Sequence, residues 1–235
     1  MPDTYWPTDN KLRVSPRKYA REQFGLPRRT ANDKTVVFGS FNQTYKIERY
    51  IFESWLRILK KVPKSVLYLY DTYGMGENNL IKFVKSQGIN PKRIIFAKEL
   101  TKEKHLARIR DTVDIALDTK TVNGHTTTTD CLWVGVPVIT IKGKHFASRV
   151  STSMLNAIGL PELVTNDLKQ YEDLAVALAT DPFKLNKIKA KIKKNIKTKP
   201  LFNTEIYTRN LEKAYTVIWK KYLNGKPKKD IYIKQ

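Results

Sequence analysis

Cysteine is almost absent from this 235-residue chain, which carries only Cys131. One thiol cannot close a disulfide within the chain, so no cross-linked secreted scaffold is encoded. Histidine is scarce too, and the three present offer no zinc-ligand spacing with the single cysteine. Long apolar runs are missing: "VLYLY" and "LWVGVPVITI" fall well short of the roughly 18 to 20 residues of a membrane span. No charged-then-apolar leader opens the sequence. These absences lead to the expectation of a reducing intracellular compartment, cytoplasmic or nucleocytoplasmic, with no membrane partner.

Acidic residues are few as well, with 22 Asp and Glu against 44 Lys and Arg for a formal charge of +22. Such an excess raises the question of a polyanionic partner. The densest basic run is "KLNKIKAKIKKNIKTK" (184–199), where Leu185, Ile188, Ile192 and Ile196 recur at steps of three and four. That spacing predicts an amphipathic helix with a lysine-covered outer face. No aromatic residue interleaves the lysines, as a single-strand stacking platform requires, so nucleic acid is the least favoured partner.

What is present is an ordinary globular share of hydrophobic residues, 41%, in a length that suits one sizeable core or two small ones. Short apolar runs alternate with helical periods. "TVVFGSF" (35–41) precedes "ERYIFESWLRILKKV" (48–62), in which Ile51, Trp55, Ile58 and Leu59 share a face. The unit then repeats with runs at 65–70, 93–97, 113–118 and 137–141, each followed by a helical segment. Continuous apolar strands separated by helices predict a parallel sheet covered on both faces, a doubly wound α/β fold. After "ELVT" (162–165) the pattern is wholly helical to residue 223, and the first 30 residues read as an extended lead-in to a domain spanning 31–235. In the last helix, Tyr207, Leu211, Tyr215, Ile218, Trp219 and Tyr222 form one stripe that either packs on its own domain or associates with another copy or a partner.

Open parallel sheets bind ligands beyond the carboxyl ends of their strands. There, "DTKTVNGHTTTTD" (118–130) runs from a strand end through a turn into a helix. His125, Thr126 and Thr127 fall at the helix start, where free N–H groups, the helix dipole and hydroxyls suit a phosphate or diphosphate. Asp130 stands a turn further on, fit to accept from ribose hydroxyls. A capping box, Thr127-x-x-Asp130, explains the same residues without a ligand, and both readings stand. Gln43 and Lys46 follow the first strand, and Lys102 and His105 the third, so three turns converge on one edge. A Walker sequence is lacking, and Gly74-x-Gly76 lacks the third glycine of the dinucleotide fingerprint.

"FNQTYKI", "KEKH", "NGHTT", "FASRV" and "PLFNTEIYTRNLEKAY", in order and spacing over about residues 1–225, resemble the carboxyl-terminal catalytic lobe of protein O-GlcNAc transferases, glycosyltransferase family 41. "MPDTYWPTD" resembles the segment joining the two lobes in that family. The resemblance implies the donor-binding, Rossmann-like half of a GT-B fold, with UDP-N-acetylglucosamine as donor substrate, Ser or Thr of a protein as acceptor, and neither cofactor nor metal. It implies that Gln43 and Lys46 face the diphosphate, with Lys46 neutralising the leaving UDP. Lys102 and His105 would hold ribose and uracil, Leu100 would pair with the uracil edge through its backbone, and Arg108 matches a nearby arginine. His125, Thr126 and Thr127 would bind the phosphates and Asp130 the ribose. The amino-terminal lobe and the acceptor groove have no counterpart among these motifs. Three classes therefore stand in order: a glycosyltransferase lobe, weak or inactive alone; a module binding UDP or a UDP-sugar; and a nucleic-acid binder.

Overall fold

A computed structural model describes residues 1–30, 33–70 and 76–233. Six parallel strands form one sheet: β1 (Val36–Ser40), β2 (Ser65–Tyr70), β3 (Ile94–Ala97), β4 (Ile115–Leu117), β5 (Val138–Ile141) and β6 (Val164–Thr165). Their spatial order is β3-β2-β1-β4-β5-β6. The chain thus builds outward from β1 on one side and from β4 on the other, leaving a switch point between them, and this is the doubly wound arrangement expected from the sequence. Register is set by Phe38 opposite Ile115 and by Val37 opposite Val66. Burial on both faces explains the unbroken apolar runs, since every residue of β1, β4 and β5 is buried.

Among the described residues eight α-helices connect or flank the strands: α1 (Arg49–Lys61), α2 (Glu77–Ser86), α3 (Lys102–Thr112), α4 (Thr126–Trp133), α5 (Val150–Ala157), α6 (Leu168–Thr180), α7 (Pro182–Thr198) and α8 (Thr204–Leu223). Ile51, Trp55, Ile58 and Leu59 all face the core from α1. Trp55 donates to the Tyr171 hydroxyl on α6 at 3.0 Å, and that hydroxyl donates to the Asp118 carbonyl at 3.0 Å. A buried polar chain therefore ties two helices to the end of β4. Leu185, Ile188 and Ile192 of the lysine-rich α7 are buried, as the spacing predicts.

The lead-in has a short 3-10 helix at Arg21–Phe24 and is otherwise without helix or strand. Buried Arg21 anchors it, donating to Asp114 at 2.6 Å and to the Thr35 carbonyl at 2.7 Å. On α8, Tyr207 donates to the Tyr5 carbonyl at 2.9 Å, whereas Tyr215, Ile218, Trp219, Tyr222 and Leu223 are exposed. The stripe expected there is split: its first half docks on the lead-in and its second half faces solvent. Gly74 lies outside the described residues. Among the described residues no helix is long and apolar enough to cross a membrane.

Candidate functional site

The carboxyl ends of β1, β3 and β4 open onto a cavity of about 520 Å³. Gln43, Lys46, Leu100, Lys102, His105, His125, Thr126, Thr127 and Asp130 all line it. Of the residues singled out in the sequence, only Arg108 is not in the wall. It lies behind it, 1% exposed, donating to the Lys98 carbonyl and to His105 Nδ1, each at 2.6 Å.

Helix α4 begins at Thr126, with His125 as its cap residue and no side-chain capping bond. The capping box centred on Thr127 does not form, because Thr127 is already inside the helix. The first-turn N–H groups of α4 have no preceding carbonyls and face the cavity's end of the helix. Only the hydroxyl arithmetic differs from expectation. Thr127 donates its proton to Asn42 Oδ1 at 2.6 Å, so that hydroxyl has no proton left for a ligand, while Thr126 is exposed. Thr128 meets Ser151 of α5 at 2.9 Å, and Thr129 donates to the Thr126 carbonyl at 3.0 Å. Of four consecutive threonines, one presents its hydroxyl outward and three hold the turn together.

Beneath the turn lies Asp118, a residue that the sequence marks only as a strand end. Its Oδ1 accepts from the N–H groups of Thr119 (2.9 Å) and Gly124 (2.7 Å) and from Asn42 (3.2 Å), and its Oδ2 accepts from Thr140 (2.7 Å). This hub fixes Asn42, which in turn fixes Thr127. Gly124 must be glycine: a Cβ there would stand 2.5 Å from the hydroxyl oxygens of both Thr127 and Thr128. Sequence reasoning missed Asn42 and Asp118, whose only signal is a polar residue closing an apolar run. It also missed Tyr5 and Trp6 of the lead-in, whose rings meet His125 edge-on at 6.4 and 5.1 Å.

The two histidines have opposite hydrogen-bonding states. Arg108 can only donate, so His105 Nδ1 accepts and the proton sits on Nε2; burial, reinforced by Arg108 and Lys102, pushes its pKa down to about 3. At His125 the 3.2 Å contact is with the Asn123 carbonyl, which can only accept, so Nδ1 donates and Nε2 carries a lone pair. Burial and then Lys46 lower its pKa. Lys46 donates to the Asn123 carbonyl at 3.1 Å, and burial lowers its own pKa against the opposing pull of Asp118. Lys102 binds Asp130 Oδ2 at 2.6 Å; burial raises the Asp130 pKa and Lys102 counters it. Among the described residues no cluster of His, Cys, Asp and Glu could hold a metal ion.

The sequence profile of Glycosyl transferase family 41 matches residues 8–211. The chain belongs to glycosyltransferase family 41. It is 38% identical over 208 residues to a UDP-N-acetylglucosamine–peptide N-acetylglucosaminyltransferase of Caenorhabditis elegans, covering 88% of this chain and 18% of that protein. A probable enzyme of the same name from Arabidopsis thaliana is 37% identical over 231 residues, covering 96% of this chain and 23% of its own length. Among solved structures, an O-GlcNAc transferase mutant from Thermobaculum terrenum superposes with a TM-score of 0.75 at 28% identity, covering 82% of this chain and 37% of that one. The chain thus spans about a fifth of the length of these curated relatives. It is the carboxyl-terminal lobe of a family 41 protein, with the Rossmann-like sheet of a GT-B half.

Proposed function

We propose that this lobe binds UDP-N-acetylglucosamine and serves as the donor half of a protein O-glycosyltransferase that modifies Ser or Thr. The observation that carries the reading is the convergence of nine family-motif residues, from three strand ends and the start of α4, on one cavity. In it Lys46 and the first turn of α4 face the diphosphate, and they stabilise the charge that develops on UDP as the sugar departs. Asp130, paired with Lys102, accepts from the ribose hydroxyls. His105 presents an Nε2–H donor beside the uracil, whose edge pairs with the Leu100 backbone, and Arg108 holds the imidazole in that state. His125 and Thr126 lie against the phosphates, Thr127 contributes its backbone N–H, and Gln43 approaches the diphosphate from β1. No metal is required, because Lys46 and the helix N-terminus supply the positive charge.

The acceptor protein and an amino-terminal lobe are the expected partners, and the exposed half of α8 is the surface offered to that lobe or to a second copy. A second reading, UDP-sugar binding without turnover, is favoured by a cavity whose described walls all come from this one lobe. A cytoplasmic or nucleocytoplasmic setting suits the single buried thiol. Calorimetric titration with UDP tests the site. Lys46→Ala removes a charge-assisted phosphate contact and should weaken binding by about 10- to 100-fold. Unchanged affinity would sink the assignment.

A further inference from the structure

The opposite edge of the sheet, at the amino ends of β1 and β4, holds a second cavity of about 330 Å³. Arg29, Lys34 and Lys189 line its polar side, Asp114 is the lone carboxylate in its wall, and Val36 and Leu185 form an apolar side. Asp114 has no capacity to spare. Its Oδ2 accepts from Arg21 at 2.6 Å and from the Val37 N–H at 2.8 Å, and its Oδ1 accepts from Arg29 and faces Lys189 Nζ at 3.7 Å. Arg21 and Asp114 form a buried pair, both 3% exposed, and the Arg21 Nε finds no acceptor among the described residues.

Three cations, Arg21, Arg29 and Lys189, therefore stand around one carboxylate, and Lys34, also in the cavity wall, forms no ion pair among the described residues. Asp33, a second carboxylate that acts on Arg21, is turned toward Thr35, accepting from its N–H at 3.0 Å and from its hydroxyl at 2.6 Å. Like charges gathered this closely repel one another, and burial first, then Arg29 and Arg21, lower the Lys189 pKa. A structural anchor for the lead-in needs one arginine. An anion explains the others, because a doubly charged group would relieve the repulsion and use the free donors.

We propose that this cavity is a second anion site, separate from the donor cleft, that takes a phosphate monoester dianion with its organic part against Val36 and Leu185. The phosphate binds among Arg29, Lys34 and Lys189, and the ester could belong to a free metabolite or to a lipid headgroup. The test uses the whole chain with its donor cleft saturated by UDP, titrated calorimetrically with phenyl phosphate. Saturable binding is expected, weakened about tenfold or more in the Arg29→Ser, Lys189→Met double variant and also in Lys34→Ser, which alters only an exposed side chain. Arg21 and Asp114 stay in place so that the lead-in remains anchored. Lys226→Met, remote from the cavity, should leave binding unchanged and separates a local site from the effect of net charge. Cosedimentation with phosphatidylcholine vesicles containing phosphatidic acid identifies a lipid source if it is lost in the same variants, and a soluble ester if the wild type stays unbound. No phenyl phosphate binding beside bound UDP, equal binding by Lys34→Ser, or an equal loss in Lys226→Met would overturn the proposal.

Discussion

At the site, a threonine hydroxyl has one proton to give, and where it goes decides what each substitution does. Thr127 gives its proton to Asn42 Oδ1, and Asn42 is 4% exposed. Thr127→Val leaves that acceptor buried without its partner, which should lower folding stability by about 1–3 kcal/mol in urea titration. Thr126→Val, on an exposed side chain, should leave stability unchanged and act on UDP affinity alone. Reversal of these two effects would refute the division of labour. His105 adds a pH-dependent contribution. In the unfolded chain its imidazole protonates near its ordinary value of 6.5, whereas in the fold the value is about 3. Between these limits the unfolded state holds more protons, so the contribution is complete above pH 6.5 and declines as pH falls toward 3, by at most about 1.4 kcal/mol per pH unit. Buried Asp118 and Asp130 have raised pKa values and push the other way, so the comparison is with His105→Gln. From pH 7 to pH 5 wild type should lose stability relative to that variant; parallel curves would exclude the effect. The wall residues were legible because strand ends in an open parallel sheet converge on one edge and the family motifs fall there. Asn42 and Asp118 were not, because a polar residue after an apolar run looks like turn chemistry until its partners, more than 70 residues away for Asn42, are in place.

Periodicity carries elements further than it carries single side chains. Five of the six strands follow from short apolar runs bounded by turn signals, whereas the two-residue β6 is too short to give such a run, and the parallel order follows from the helices between them. Helix α8 shows where such reasoning stops. A stripe at helical spacing demands a partner but does not name one. Tyr207 finds the lead-in, through a hydrogen bond to Tyr5 that spans 202 residues of sequence. Trp219 and Tyr222 stack on each other at 5.5 Å and are 59% and 72% exposed. Apolar and aromatic surface left in this way favours association. Sedimentation at micromolar concentrations should therefore show self-association that Trp219→Ser with Tyr222→Ser reduces, and addition of an amino-terminal lobe from a relative should protect Trp219 from iodide quenching. A monomer at all concentrations, with Trp219 equally quenched with and without that lobe, would argue against both partners. The lysine-rich α7 needs no such partner, because Leu185, Ile188 and Ile192 are buried in the domain.

For the whole molecule, the formal charge of +22 does not describe the cavity, which combines two lysines with a helix start and a paired carboxylate. What limits this chain is geometry. Sugar transfer requires the donor carbon and an incoming hydroxyl to be held in near-attack arrangement, and effective molarities gained in this way can account for about 7–11 kcal/mol of a barrier. The described walls of the cavity at the sheet edge all come from this one lobe. This 235-residue polypeptide on its own should therefore bind donor but transfer little or no N-acetylglucosamine to peptide, with slow donor hydrolysis as its main turnover. Radiolabelled UDP-N-acetylglucosamine and a mixed Ser and Thr peptide library measure this directly, with and without a separately expressed amino-terminal lobe from a relative. Label in peptide only on complementation would identify half of a transferase. Robust labelling by the chain alone would mean that its open cleft orients the acceptor without a second lobe, and the two-lobe account would be wrong. Lys46→Ala distinguishes transfer from contamination in either case: it should abolish labelling wherever labelling occurs, because no other ammonium in the cavity lies beside the start of α4 with its charge free of a carboxylate partner, Lys102 being bound to Asp130.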